Sequence, residues 1–293
     1  MTLTDEIRAK AAWVAEQATH VRIHEDAITD YARELPAVSP PAPDLNGEAD
    51  DELRAAFSLQ LNAINFGSGW FPTLNKPPGL SGFRTVENGL RGHGPWTIEA
   101  LKHVTREEIA QALGQAADHP LMALFERSLR ELGQRVGDSF CVFARSGTAE
   151  ELATELSTWP TWYDISPYKG KAIPLYKRAQ IAAADLALQG LADGRDLHRL
   201  TLFADNLVPH VLRLDGILGF DDDLVARIDA EQLIEHDSPE EVEIRACALH
   251  AVELLVAAHG STTATAVDNA LWNRGAGARY KARPRHRART TAY

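Results

Sequence analysis

Cysteine is nearly absent from this sequence. Cys141 and Cys247 are the only two in 293 residues, and both sit in apolar surroundings (SFCVF and RACALHAV). That pattern favours buried thiols in a reducing cytoplasm over disulfides. Neither a CxxC pair nor an HExxH segment occurs, so no dedicated transition-metal site is expected. No run of 18 apolar residues exists, which excludes a membrane-spanning helix. The first residues, MTLTDEIRAKAAWVAEQ, mix charge with apolar positions and lack the apolar core of a secretory signal. Internal repeats and composition breaks are lacking too, so a single domain over 1–293, with room for two lobes, is the expectation.

What is present is an ordinary globular composition, 45% hydrophobic and 24% charged. The net charge of −11 is unevenly spread. Residues 279–293, RYKARPRHRARTTAY, carry six Lys/Arg and no acid, which leaves the remaining chain more acidic than the whole. A surface so acidic repels duplex phosphates, so no DNA and no intact RNA is expected as a partner. Charge alone favours a solvated basic C-terminal segment that associates with the acidic body.

The periodicity is mostly helical. Helices are predicted over 4–18, 25–35 and 52–66, the last with Leu53, Phe57, Leu61 and Ile64 on one face. A Pro- and acid-rich connector, 39–51, should be exposed. Residues 67–96 hold seven Gly and four Pro among aromatics. They predict a long ordered loop or short hairpin of the kind that often lines a site. Thr105/Glu108, Thr148/Glu151 and Ser238/Glu241 fit capping boxes. After Ser238-Pro239, EEVEIRACALHAVELLVAAH is apolar nearly all round and predicts a buried helix. Glu243 on that helix needs a polar partner, either another core side chain or a ligand.

Two local patterns suggest chemistry. In PYKGKAIPLYKRAQIAAADLALQG (167–190), Gly170 permits a tight turn before a strong helix former, with Pro174 near the helix start. Lys169, Lys171, Lys177 and Arg178 would suit an anion there, or would form a solvated basic turn. In TLFADNLVPHVLRLDGILGF (201–220), Asp205 precedes Pro209 by four residues. The simple reading is a helix cap; the alternative is a catalytic carboxylate. A lysine at a helical hairpin with an aspartate opening a later helix is the general plan of helix–hairpin–helix base-excision glycosylases, although the usual Gly-rich hairpin is missing.

Several segments resemble the queuosine salvage protein family, the queuosine 5′-phosphate N-glycosidases. They are LNAINFGSGW, SFCVFARSGTAEELATEL, PLYKRAQIAAADL, TLFADNLVPHVLRLDGIL, SPEEVEIRACALHAVELL and the terminal PRHRARTTAY, in order from about residue 20 to Tyr293. The resemblance implies a mostly helical fold similar to DNA glycosylases. It also implies hydrolysis of the N-glycosidic bond of a 7-deazaguanine nucleotide, releasing queuine for salvage into tRNA. The partner would be that small-molecule nucleotide or nucleoside, with no membrane, no metal and no organic cofactor. The key acid falls on Asp205, with Asp185 as its rival. Glu243 or Asp164 would read the guanine-like edge, and Phe66 and Trp70 would stack on the base. Lys177 and Arg178, or His286, Arg287 and Arg289, would hold the 5′-phosphate.

The sequence departs from the family pattern in two places. After Asp205 the family has Tyr-Arg-Leu-Pro-Gln, and this chain has Asn206, Leu207, Val208, Pro209 and His210. Gly67-Ser68-Gly69 replaces an aromatic-rich run before Trp70. Two alternatives therefore stay open: a glycosidase for a different modified nucleoside or nucleotide, and a non-catalytic nucleobase-binding homologue.

Overall fold

A computed structural model describes residues 1–37 and 50–293. The predicted connector, apart from its last two residues, lies outside the described residues. By their contacts the residues fall into two compact units that interleave along the chain. One comprises Met1–Pro41, Asp164–Lys177 and Asp196–Arg289; the other comprises Ala42–Tyr163, Arg178–Arg195 and Thr290–Tyr293.

The chain is mostly helical. The first helices are α1 (Leu3–Gln17), α2 (Glu25–Arg33), α3 (Asp51–Ala63), α4 (Gly82–His93), α5 (Ile98–His103), α6 (Arg106–Leu113), α7 (Pro120–Arg135), α8 (Phe140–Ala144) and α9 (Ala149–Ser157). The others are α10 (Lys177–Leu188), α11 (Val208–Leu214), α12 (Asp222–Asp229), α13 (Pro239–His259), α14 (Ala264–Arg274) and α15 (Ala278–Lys281). Strand β1 (Val21–Ile23) pairs antiparallel with β4 (Leu218–Phe220), and β2 (Ile165–Tyr168) with β3 (Lys171–Pro174). Among the described residues no helix is long and apolar enough to cross a membrane.

In the first unit α13 is the central element, packed by α1, α2, α14 and β1. Its apolar circumference, with Val242, Ile244, Ala248, Leu249 and Val252 all fully buried, is what a helix surrounded by protein requires. The β2–β3 hairpin turns through Lys169 (φ 45°) and Gly170 (φ 77°), as a two-residue turn with both centres left-handed demands. Pro174 therefore ends a strand, and the helix opens at Lys177. In the second unit α7 packs on α3, α5 and α6, and α4 packs on α6.

The capping boxes at Thr105/Glu108 and Thr148/Glu151 are both present. At Ser238 only half forms. The serine accepts the Glu241 N–H, while the Glu241 side chain accepts the Asp237 N–H and turns into the core toward Arg245.

The expected loop or hairpin at 67–96 is corrected. Its second half is α4, started by Ser81 accepting the Arg84 N–H. Gly89 serves packing: a Cβ there would stand 2.9 Å from Leu113 Cα of α6. Leu53 also departs from expectation, being 42% exposed at the first turn of α3. So does the basic C-terminal segment: His286, Ala288, Thr290, Ala292 and Tyr293 are buried, and Gly67 donates its N–H to the Tyr293 carbonyl at 2.9 Å. Alternating burial, as in a strand, hides these residues while Arg289 points to solvent.

Candidate active site

Asp205 stands in the irregular stretch that leads into α11. Its Oδ1 accepts the N–H groups of Leu207 (2.7 Å), the N-cap residue of α11, and of Val208 (3.1 Å), the first residue of that helix, whose N–H has no partner within the helix. These bonds make an Asx-type turn ahead of α11 and not its cap, because the N-cap residue is Leu207, which makes no side-chain capping bond. Oδ2 accepts no hydrogen bond from the described residues. Backbone donors fix the plane of this half-buried carboxylate and leave one oxygen to present.

The residues around it are held just as closely. Phe203 donates its N–H to Asp268 Oδ1 at 3.3 Å, and the Ala204 carbonyl accepts Arg245 Nε at 2.9 Å. The Asn206 amide donates to the His286 carbonyl at 3.0 Å. His286 itself is buried, which pushes its imidazole down to about 3, and it is therefore neutral at physiological pH. Next to it, Arg285 makes no hydrogen bond or ion pair with the described residues. Burial disfavours its charge, and the carboxylate of Asp205 favours it.

Asp164 receives Arg245 through a two-pronged contact, Nη1 to Oδ1 and Nη2 to Oδ2, each 2.8 Å. Its Oδ2 also accepts the Lys177 N–H at 2.9 Å, so Asp164 caps the first residue of α10. Glu241 Oε1 lies 3.7 Å from Arg245. Burial opposes ionisation of Glu241, but His236 and Arg245 outweigh it and hold its carboxyl below the ordinary value. His236, Asp237 and Glu241 bring ligand-type atoms within 4.8 Å of one another, but Arg245 already supplies a cation at Glu241.

Glu243 finds its partner in the chain. Oε2 accepts the N–H groups of Thr19 (2.9 Å), His20 (2.6 Å) and Val21 (3.0 Å), and Oε1 accepts the Tyr168 phenol at 2.7 Å. The hairpin lysines are also engaged: Lys169 Nζ donates to the Gln17 carbonyl, and Lys171 Nζ sits 3.9 Å from the Trp13 ring centre. Arg287 pairs with Glu231 at 2.9 Å, and Arg289 is exposed.

The remaining expected site residues belong to the second unit. Phe66 is a core ring, edge-on to Phe125 with centres 5.1 Å apart, and Arg178 stacks 4.7 Å over it. Arg178 is buried and donates to the carbonyls of Ala63 (2.7 Å) and Thr161. Trp70 is half-buried. Asp185 Oδ2 accepts the Asn62 amide at 2.7 Å, and Asn62 Oδ1 accepts from Asn65, immediately before Phe66.

Residues 85–293 match the family described as queuosine salvage protein. A protein of Sphaerobacter thermophilus is 32% identical over 318 aligned positions, covering 96% of this chain and 95% of its own. One of Dictyostelium discoideum is 29% identical and covers 98% of each. One of Bos taurus is 33% identical over 52% of this chain and 48% of its own. All three carry the name queuosine 5′-phosphate N-glycosylase/hydrolase. The chain belongs to the queuosine salvage protein family.

Within the matched region of this queuosine salvage family member lie Asp164, Lys177, Asp205, Arg245 and His286. The structure joins them in one unit by the bonds described above. Sequence reading missed two of the participants. Arg245 lies on another face of α13 than Glu243, and the signal for it in the sequence is a guanidinium on a helix that is otherwise apolar nearly all round. Arg285 was hidden in a run of basic residues where nothing in the order of charges distinguishes it.

Proposed function

We propose that this protein hydrolyses the N-glycosidic bond of queuosine 5′-phosphate, releasing the 7-deazaguanine base queuine. Asp205 carries the reading. Bond cleavage develops positive charge on the ribose, and a carboxylate fixed in orientation stabilises that charge without reorganising. Two backbone N–H groups pin one oxygen of Asp205, and the other is left to face the sugar or orient a water. Asp185, held by Asn62, is the competing carboxylate.

Lys177 and Arg285 are the cations we assign to the 5′-phosphate, as charge-assisted donors. His286, being neutral, suits a hydrogen-bonding role better than a cationic one. Glu243 and Asp164 belong to the frame, since their oxygens already serve the chain. The leaving 7-deazaguanine has no N7 to protonate, so its negative charge must be met at its carbonyl or pyrimidine edge. Kinship with the helical DNA glycosylases rests on the mostly helical fold and on Asp205 following α10 along the chain, since the turn before α10 joins two strands and not two helices. The unpaired, buried thiols favour a reducing cytoplasm.

A second reading rests on Asn206. Its amide is committed to the His286 carbonyl where the family pattern has tyrosine, so the residue beside Asp205 offers no phenol to a substrate, which favours a related modified nucleotide. Incubation with queuosine 5′-phosphate and, separately, with queuosine, followed by mass spectrometry for free base, tests both. Release of queuine from the nucleotide supports the first reading. No release by folded protein discards it.

A further inference from the structure

We propose that Arg245 is a positioning residue: through its bonds to the Ala204 carbonyl and to Asp164 it holds Asp205 in register with Lys177. This rests on Asp205 as the catalytic carboxylate. Arg245 is fully buried, and among its contacts Nε donates to the Ala204 carbonyl and both Nη groups donate to Asp164 from the planar guanidinium. Such a fork fixes direction as well as distance, which a lysine ammonium cannot do. The residue gripped on one side is the immediate neighbour of Asp205. The residue gripped on the other holds the backbone on both sides of Tyr176: the Asp164 main-chain carbonyl accepts the Leu175 N–H at 3.0 Å, and its carboxylate Oδ2 accepts the Lys177 N–H at 2.9 Å.

Tyr176, between those two contacts, has φ 49°. A bulky residue in the left-handed region persists only where its surroundings over-determine it. Asp164 supplies that constraint. A buried ion pair is an inefficient way to stabilise a core, because desolvating both charges offsets their attraction, and apolar side chains can often replace it. Here the pair joins two backbone segments that bear the proposed carboxylate and a proposed phosphate ligand. Accurate placement of such groups is worth a great deal: a displacement of about 1 Å can cost about 100-fold in rate.

The test compares four variants for kcat and KM on queuosine 5′-phosphate, each with its unfolding midpoint. Arg245→Lys keeps the charge and loses the fork; kcat should fall by about 10- to 100-fold with KM nearly unchanged. If that protein does not fold, Asp164→Leu/Arg245→Met takes its place, since an apolar pair can preserve stability while abolishing the clamp. It should fold and still show the low kcat. Arg245→Lys combined with Asp205→Asn should be no slower than Asp205→Asn alone, because the clamp acts through that carboxylate. Wild-type kcat in folded Arg245→Lys or in the apolar pair overturns the positioning role, as does a loss that multiplies that of Asp205→Asn. Full activity in Asp205→Asn alone overturns the underlying assignment instead, so the two failures are distinct.

Discussion

Tyr168 donates its phenol to Glu243 Oε1 at 2.7 Å, on the carboxylate whose other oxygen gathers the consecutive backbone N–H groups of Thr19, His20 and Val21 at the entrance to β1. This links the hairpin, α13 and β1 through one buried group. Glu243→Ala should destabilise the fold by about 2–4 kcal/mol, because charged hydrogen bonds are lost and buried donors are left unpaired. Tyr168→Phe should cost about 1.5–3 kcal/mol, and the two changes should not add. Urea unfolding midpoints measure both; an unchanged midpoint in Glu243→Ala would remove it from the frame.

Asp205→Asn should lower kcat by about 10²–10⁴ while leaving the unfolding midpoint close to wild type, since the amide oxygen can still accept the Leu207 and Val208 N–H groups. Asp185→Asn should be the milder variant. If the order of the two is reversed in single-turnover rates, Asp185 is the catalytic group.

Acid should destabilise the protein through His286. Its folded value, about 3, lies below the ordinary 6.5. Between those values the unfolded chain binds a proton that the native state refuses, so stability falls as pH drops from about 6.5 toward 3. Burial lowers His210 in the same direction. His20 and His236 act oppositely: both are raised in spite of burial, His20 chiefly by Asp221 and His236 by Glu241. Their stabilisation is full below the unfolded value and is lost as pH rises through the raised one. Denaturant unfolding of His286→Gln across pH 4–7 should show a shallower acid limb than wild type. An unchanged limb would mean that His286 is not what limits acid stability.

Two glycines of α4 should respond with opposite sign. A Cβ on Gly89 meets the Leu113 backbone, so Gly89→Ala should cost about 1–3 kcal/mol. A Cβ on Gly92 meets nothing within 4 Å, and Gly92→Ala should stabilise by about 0.4–1 kcal/mol. Thermal melts of the pair test whether α4 and α6 touch as described.

Removal of Thr290–Tyr293 should cost more than its length suggests. Tyr293 is 3% exposed and its carbonyl accepts the Gly67 N–H. Burial of one such aromatic is worth about 1.5–3 kcal/mol, so a truncated protein should melt measurably lower. An unshifted melting temperature would return this segment to the solvated tail that its charge suggests.

The elements legible in the sequence are those whose causes are local. Thr105/Glu108 and Thr148/Glu151 start helices because a side chain meets a backbone group three residues away. Lys169-Gly170 turns the hairpin because glycine admits a positive φ. The all-round apolar pattern of α13 required burial, and the ordered segments from LNAINF to PRHRAR carried the family resemblance. The family pattern also pointed to Asp205, but whether that carboxylate caps a helix or faces a substrate is not a property of its neighbours in the chain.

Tertiary structure decided the rest. Arg245 meets Asp164 across 81 positions, and Glu243 meets β1 across more than 200. No periodicity reports such pairs, because they are chosen by which buried charge can reach which buried partner once the helices have packed. The same holds for α4, where Gly89 reads as a chain breaker until Leu113 lies against it. The sequence by itself determined where helices begin, which helix is buried and to which family the chain belongs. Only the packed fold determined that the oxygens of Glu243 and Asp164 are committed to the chain, while Asp205 has one oxygen that accepts no hydrogen bond from the described residues.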